Sequence, residues 1–370
     1  MKKILLLILI IVIVILLQKK RNSNEEFVDY KLNEIIDDTA YWFINFSNDE
    51  FLHYSYDLEK NMILNHDYSP PALRKLGSLW ILTEYYKEIK DSFLKEEYKK
   101  LINKGVNYIL KYLVNEEKYY IKSSQNSIAF IAFTIIILDN INYLNKEEYL
   151  RKFGETLLNQ QVKEGEDKGM FYNFVNENKR YGVTYIPSQA CLGLLKLYEV
   201  FKDDRYLNSV ALALKYYEVI WDDSVVVYGN IAHKIISPSW LMQVTYKMYI
   251  ITKKEHYKIF TFKLGDWLLP KDVFNIKNPK YNGMGVATWM EGLTDCYALA
   301  KLVGDKNRMD KYKKANKIGF YNVMLLQMKN KNKLINNGFM QSDTNKILRV
   351  DWNQHALHAF LKIRRYTIFN

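Results

Sequence analysis

Residues 238–269 read PSWLMQVTYKMYIITKKEHYKIFTFKLGDWLL, and they hold one full unit of this chain's architecture. Ser237 and Pro238 open the run as a helix start, since Ser is favoured at an N-cap and Pro is tolerated in the first turn. From Ser239 the sequence is rich in Leu, Met, Ile and aromatics. After Lys253 and Lys254 it turns amphipathic, with Tyr257 near the beginning and Leu269 at the end. An apolar helix followed by an amphipathic one is a helical hairpin, its first arm inside and its second arm outside.

The unit recurs along the whole chain. Tyr98, Tyr149, Tyr206, Tyr257 and Tyr312 sit in similar amphipathic contexts, 51, 57, 51 and 55 residues apart. Between them, Ser69, Ser127, Ser188, Ser239, Thr288 and Asp351 each open an apolar run. The apolar helices are predicted to begin near Pro70, Ser127, Pro187, Pro238, Thr288 and Trp352. Their amphipathic partners cover Asp91–Leu113, Asn145–Gln161, Asp203–Ile220, Lys253–Leu269 and Asp305–Gln327. Glu25 to Trp42 supplies a first outer helix, with Phe27, Tyr30, Ile35 and Ile36 on its buried side. Two interleaved series of six helices predict an all-α (α/α)6 toroid of six helical hairpins over residues 25–370.

Short polar turns such as Lys202-Asp203-Asp204 and Gly304-Asp305-Lys306 join each inner helix to the next outer one. The longer connections run from outer to inner helices, and all of them lie on one face of the ring. Some of these are expected to contain strands, Val225 to Tyr228 among them. Long loops on one face of a rigid scaffold are where a site is expected.

Composition agrees with a single domain. The apolar fraction of 49% over 370 residues supplies a large core, and with 6 Pro and 15 Gly no linker-like stretch divides it. The net charge of +12 (53 basic minus 41 acidic residues) comes from Lys and Arg mixed with Glu and Asp on outer helices, as in Lys95–Lys100 and Lys311–Lys317. That is a solvated face rather than a basic stripe, and no nucleic-acid-binding signature accompanies it.

Residues 1–24 read differently. Ile4 to Leu17 is an unbroken run of 14 Leu, Ile and Val residues between Lys2-Lys3 and Lys19-Lys20-Arg21. As a helix it spans about 21 Å, short of the roughly 30 Å hydrocarbon core, but flanking lysines can snorkel. No small-x-small cleavage site follows. The segment is therefore expected to be an N-terminal hydrophobic helix acting as an uncleaved single-pass signal anchor, with the following domain extracytoplasmic. Cys191 and Cys296 fall inside apolar helices and are expected to be buried free thiols. No metal or other cofactor is implied by the pattern.

Three stretches carry a family resemblance: Tyr68-Ser69-Pro70-Pro71-Ala72-Leu73-Arg74, then Thr288-Trp289-Met290-Glu291-Gly292-Leu293, then Gly338-Phe339 to Ser342 with Arg349-Val350-Asp351-Trp352-Asn353-Gln354-His355-Ala356-Leu357. The chain from about residue 25 resembles bacterial proteins of the six-hairpin glycosidase-like, (α/α)6 toroid superfamily. The resemblance implies a carbohydrate-active protein. That superfamily contains hydrolases, lyases and epimerases, so fold alone does not choose among them.

Glu291 lies three residues after Thr288, a spacing that suits a carboxylate at the ring's mouth and equally a capping box. An apolar surround there would raise its pKa toward that of a general acid. Asp351 reads both as N-cap of the last helix and as catalytic base or nucleophile. Arg349, Gln354 and His355 make around it a polar cluster larger than capping needs, and His358 shares the face of His355. Glu291, Asp351 and His355 are thus the candidate catalytic residues. Asp67, Tyr68, Arg74, Gln189, Trp240, Gln243, Trp289, Arg349, Trp352 and Gln354 are candidates for substrate binding, the tryptophans for stacking on sugar faces and Arg74 for a carboxylate. Two carboxylates from different helices are what glycoside hydrolysis needs.

The expected function is a membrane-anchored glycoside hydrolase, or a lyase or epimerase, acting on a cell-surface or exported polysaccharide or oligosaccharide. The alternative is a non-catalytic glycan-binding or polysaccharide-assembly protein on the same scaffold.

Overall fold

The apolar runs become helices that are buried on nearly every side, and the amphipathic runs bury one stripe only. A computed structural model describes residues 31–64, 72–115, 118–123, 126–141, 143–175, 185–223, 226–228, 231–233, 237–275 and 283–369. Residues 31–45 are helical and form α1. Eleven further helices follow: α2 (Leu73–Tyr86), α3 (Ser92–Leu110), α4 (Ile128–Asn140), α5 (Lys146–Asn159), α6 (Tyr185–Phe201), α7 (Asp204–Asp223), α8 (Pro238–Thr252), α9 (Glu255–Leu268), α10 (Gly285–Val303), α11 (Lys306–Met324) and α12 (Val350–Arg365). The even-numbered helices pack side by side in chain order, and α12 returns to α2, which closes an inner ring. Odd-numbered helices lie outside it, each against an inner neighbour. The expected (α/α)6 ring is present, and the predicted inner starts hold to within three residues.

Those starts have physical causes. Ser127 caps α4 by accepting from the Ala129 amide, and Pro238 occupies the first turn of α8. By contrast α6 begins at Tyr185 and α10 at Gly285, so Pro187 and Thr288 fall inside their helices. Helix α12 begins at Val350 with Arg349 before it, and Asp351 is already helical. Among the outer helices, Asp91 and Asp305 accept from the Leu94 and Arg308 amides, as side-chain caps do.

The repeated tyrosines hold adjacent outer helices in step. Tyr98 donates from its hydroxyl to the Ala40 carbonyl of α1 at 2.8 Å, and Tyr312 donates to Asp266 of α9 at 2.7 Å. Tyr206 packs on Gly154 of α5, where any side chain would collide with its hydroxyl. Ile35 and Ile36 are buried as expected, whereas Phe27 and Tyr30 lie outside the described residues.

Ring closure is made at both ends of the barrel. On the face where inner helices begin, β1 (Ser55–Asp57) pairs antiparallel with β2 (Met62–Leu64) and with β7 (Ile347–Arg349), tying the first long connection to the last. On the other face, Arg365 of α12 binds Glu84 of α2 at 2.7 Å and Glu88 at 2.6 Å. Two further hairpins, β3 (Leu113–Asn115) with β4 (Tyr119–Ile121) and β5 (Val226–Tyr228) with β6 (Ile231–His233), lie in the long connections. The strand expected around Val226–Tyr228 is therefore present.

Cys191 and Cys296 are buried and free. Burial pushes both thiols up in pKa, so neither is a ready nucleophile. The expected anchor at residues 1–24 lies outside the described residues. Among those described, no helix is long and apolar enough to cross a membrane.

Inner helices approach closely enough that backbone meets backbone. A Cβ on Gly193 of α6 would stand 2.9 Å from the Ala132 Cα of α4. Elsewhere in a helix Gly→Ala stabilises by roughly 1 kcal/mol. Here Gly193→Ala is expected to destabilise by about 1–3 kcal/mol, the cost of overpacking, measured by urea denaturation. A gain in stability would show that α4 and α6 have room to spare.

Candidate functional site

Four residues of α12, Asp351, His355, His358 and Lys362, are spaced by four, three and four, so they form one stripe down the helix. Helix α10 answers with Thr288, Glu291 and Asp295, spaced by three and four. The two stripes face each other inside the ring. Because α10 starts before Thr288, the Thr-x-x-Glu spacing is not a capping box, and Glu291 is free to point inward.

Glu291 is fully buried, and one of its oxygens collects three contacts. Oε1 accepts from His355 Nδ1 at 2.9 Å, from His358 Nδ1 at 3.1 Å and from Gln354 Nε2 at 3.3 Å. Its Oε2 has no partner among the described residues. A carboxylate acceptor fixes Nδ1 of both rings as the protonated nitrogen. Nε2 of His355 is then the ring nitrogen on the side away from Glu291. Deeper in the ring, Lys362 donates to Asp295 Oδ2 and to the Glu291 carbonyl, both at 2.7 Å.

The charge on Glu291 follows from these neighbours. Burial acts to raise its pKa, but the charges and hydrogen bonds of His355 and His358 outweigh it and hold the carboxyl down to about 2. The sequence led us to expect the opposite sign. His355 shows the reciprocal effect: burial opposes its charge, yet the Glu291 carboxylate prevails and raises its pKa above the ordinary histidine value.

Asp351 is not a cap either. Its carboxylate accepts from Arg349 at 2.6 and 2.8 Å and from Arg74 Nε at 3.0 Å, with no backbone amide among these partners. Arg349 in turn lies over the Trp352 ring at 3.7 Å. Arg74 also meets the Tyr54 hydroxyl.

A cavity of about 220 Å³ opens at the N-terminal ends of the inner helices. Of the residues proposed from sequence, Arg74, Gln189, Trp240, Asp351, Gln354 and His355 line it. Glu291 lies beneath His355 and does not reach it. Trp289 packs against Phe274 instead, with ring centroids 6.2 Å apart, and Arg349 and Trp352 stand behind Asp351. Asp67 and Tyr68 lie outside the described residues. Tyr185 and Phe133 also line the cavity and were not singled out from sequence.

The cavity has an aromatic floor. Trp80, Phe133 and Trp240 form a triangle with centroids 5.5 to 6.0 Å apart, and His358 meets Trp80 edge-on at 5.0 Å. Packing, not stacking on a sugar, is what most of Trp80 does. Below this floor Gln243 lines a second cavity at the opposite end of the ring. Gln243 was expected at the mouth; one helical turn beyond Trp240, it lies on the far side of the floor. Lys362 and Asp295 were missed, although their spacing from His358 and Glu291 was visible in the sequence.

No protein-family sequence profile and no curated protein matches this chain. Solved structures do. A D-mannose isomerase superposes with a TM-score of 0.64 at 13% identity, covering 91% of this chain and 97% of its own. The cellobiose 2-epimerase from Spirochaeta thermophila gives 0.67 at 8%, covering 93% and 98%. An unsaturated glucuronyl hydrolase specific for heparin gives 0.65 at 10%, covering 92% and 98%. The chain thus shares the (α/α)6 toroid fold of these proteins, the fold expected from its sequence.

The pH dependence of stability follows from the two shifted groups. Glu291, depressed, contributes fully above the ordinary glutamate value of 4.5 and loses its contribution as pH falls toward about 2. His355, raised, contributes fully below 6.5 and loses its contribution as pH climbs through its folded value. Glu291→Gln is therefore expected to destabilise most between pH 4.5 and 6.5, and to lower the His355 pKa in an NMR titration. An unchanged histidine titration would break the proposed coupling.

Proposed function

We propose that this protein is a sugar isomerase in which His355 moves a proton between adjacent carbons of a reducing sugar. The observation that carries this is the hydrogen bond from His355 Nδ1 to the buried Glu291 carboxylate, on a ring that lines the cavity. Such a partner orients the imidazole, fixes its tautomer and stabilises the imidazolium formed when Nε2 accepts a proton.

Hydrolysis by paired carboxylates is less well served. A glycosidase acid must reach the leaving oxygen, but Glu291 has no exposure and is held ionised at about 2. That leaves Asp351 as the one carboxylate lining the cavity among the described residues, bound by two guanidinium groups.

In the proposed reaction the open-chain aldose lies in the cavity with its C2–H toward His355 Nε2. The histidine takes the proton, the C–H electron pair becomes the enediolate double bond, and negative charge gathers on the former carbonyl oxygen. Arg74 and the N-terminal ends of the inner helices offer positive potential there. The O2 hydroxyl proton passes to O1, the imidazolium returns its proton to C1, the O2 electron pair closes the new C2 carbonyl, and a ketose results. A single base on one face suits this transfer, whereas epimerisation needs delivery to the other face as well. His355 is the one histidine lining the cavity among the described residues, which favours isomerisation. D-mannose isomerase, one of the structural neighbours, carries that activity in its name. The cavity is smaller than the roughly 300–1,000 Å³ typical of drug-sized ligands, which suits one sugar ring better than a stretch of polymer.

The test is incubation of the full chain with a panel of aldohexoses in D₂O, read by NMR. Ketose formation with hydrogen transfer between C2 and C1 is expected. His355→Gln should lower kcat/KM by about 10²–10⁴, the usual share of a general base, beyond any loss of folded protein, which is checked by the melting temperature because the substitution also removes a partner of the buried Glu291 carboxylate. Turnover unaffected by that substitution would overturn the assignment. Since the neutral imidazole is the active form, kcat/KM should rise with pH through an apparent pKa above 6.5.

A further inference from the structure

Beneath the aromatic floor lies a cavity of about 160 Å³, at the end of the ring where the inner helices finish. It follows from helical periodicity. The helices that show Gln189, Trp240 and His355 to the upper cavity show Lys196, Gln243 and His358 to the lower one, each one or two turns further along. The proposed isomerisation makes no use of it.

Its lining is unlike that of the upper cavity. Lys196, Lys247, Lys362 and Arg365 face two carboxylates, those of Glu84 and Asp295. Most of these cations have partners: Lys362 holds Asp295, Arg365 holds Glu84 and Glu88, and Lys196 lies 3.0 Å from Glu199 and 3.4 Å from Asp139. Lys247 is held loosely, 3.6 Å from Glu199, and is more than a third exposed. Helix C-termini carry partial negative charge, so some of this basicity offsets the six helix ends gathered here.

Gln243 adds an unmet demand of its own. The residue is 4% exposed, and its Oε1 accepts from Lys362 at 3.4 Å, which assigns Nε2 to the other side. Nε2 has no partner among the described residues. A buried amide donor left unmatched is a cost to the folded state. What it lacks is an acceptor. On the same helix Lys247 follows one turn later, and Lys196 stands across on the neighbouring α6; both line the same cavity as Gln243.

The geometry points to a binding site for a small oxyanion, a carboxylate or phosphate group, at the closed end of the ring, with Gln243 Nε2, Lys247 and Lys196 as its donors. One anionic group meets the unmatched amide and the loosely held Lys247 ammonium together. A neutral ligand or a water molecule meets only the first. The site is separate from the sugar cavity and does not depend on the isomerase assignment.

Isothermal titration of the full chain with inorganic phosphate and, separately, malonate, at constant ionic strength, tests this. One saturable site with Kd below about 1 mM is expected for at least one of them, and their order tells phosphate from carboxylate. Gln243→Leu and Lys247→Gln should each weaken binding tenfold or more. Lys247 is exposed enough that its variant will fold even if the other does not. Arg74→Gln, on the upper cavity, should leave binding unchanged. Absence of binding by both anions, binding indifferent to Lys247→Gln, or binding lost with Arg74→Gln would each overturn the proposal.

Discussion

A carboxylate with no solvent exposure sits at the centre of this ring, and its neighbours exist in the form that such burial demands. Taking an ionised group out of water costs several kcal/mol unless it is paired and hydrogen-bonded. Glu291 meets that demand with two imidazole N–H groups and an amide, all from one turn and a half of α12. Helices α10 and α12 must therefore keep one register, because a slip of a single residue would rotate the histidines off the carboxylate. The same requirement fixes the tautomer of His355 and points its second nitrogen away from Glu291. Structural necessity and chemical competence come from one contact.

The register needs a rigid frame, which the ring closure supplies. The three-stranded sheet on one face and the Arg365 pairs on the other bind the first hairpin to the last. Between those ends the tyrosines of α3 and α11 reach the preceding outer helix through their hydroxyls, and the Gly193 contact brings α4 and α6 to van der Waals limits. Such a frame deforms little, so the inner helices present their stripes at fixed heights. Two cavities with a three-ring floor between them are the result.

How much of this was legible in the sequence depended on whether the signal was periodic or pairwise. The tyrosine series and the alternation of apolar and amphipathic runs are periodic, and they predicted twelve helices and their order. The start of α10 was misjudged because Thr288 and Glu291 fit a capping box and a helix interior equally well; both put them three residues apart. The sign of the Glu291 pKa was missed for a pairwise reason. Its histidine partners lie 64 and 67 residues away, and nothing local to Glu291 distinguishes an apolar surround from a cationic one. Lys362 and Asp295 are a different lesson, for they continue the stripes of His358 and Glu291 at helical spacing and could have been found. Gln243 was assigned to the mouth by its early position in α8, but a helical turn of about 5.4 Å is enough to carry a side chain through the floor.

The strict alternation of outer and inner helices has an electrostatic consequence that no single residue carries. Because every inner helix follows an outer one, all six run in the same direction, and their dipoles add instead of cancelling as they would in an up-and-down bundle. One end of the ring is therefore positive before any side chain is counted, and the other is negative. At the positive end Arg74 and Arg349 pair with Asp351 beside the cavity, so Arg74 adds only part of its charge to the potential of the helix termini. At the negative end the sequence gathers Lys362, Arg364 and Arg365 in the last turn of α12 and Lys301 in that of α10. The backbone thus imposes a polarity that side chains answer differently at the two ends. A ring of this topology is bound to offer two electrostatically distinct ends.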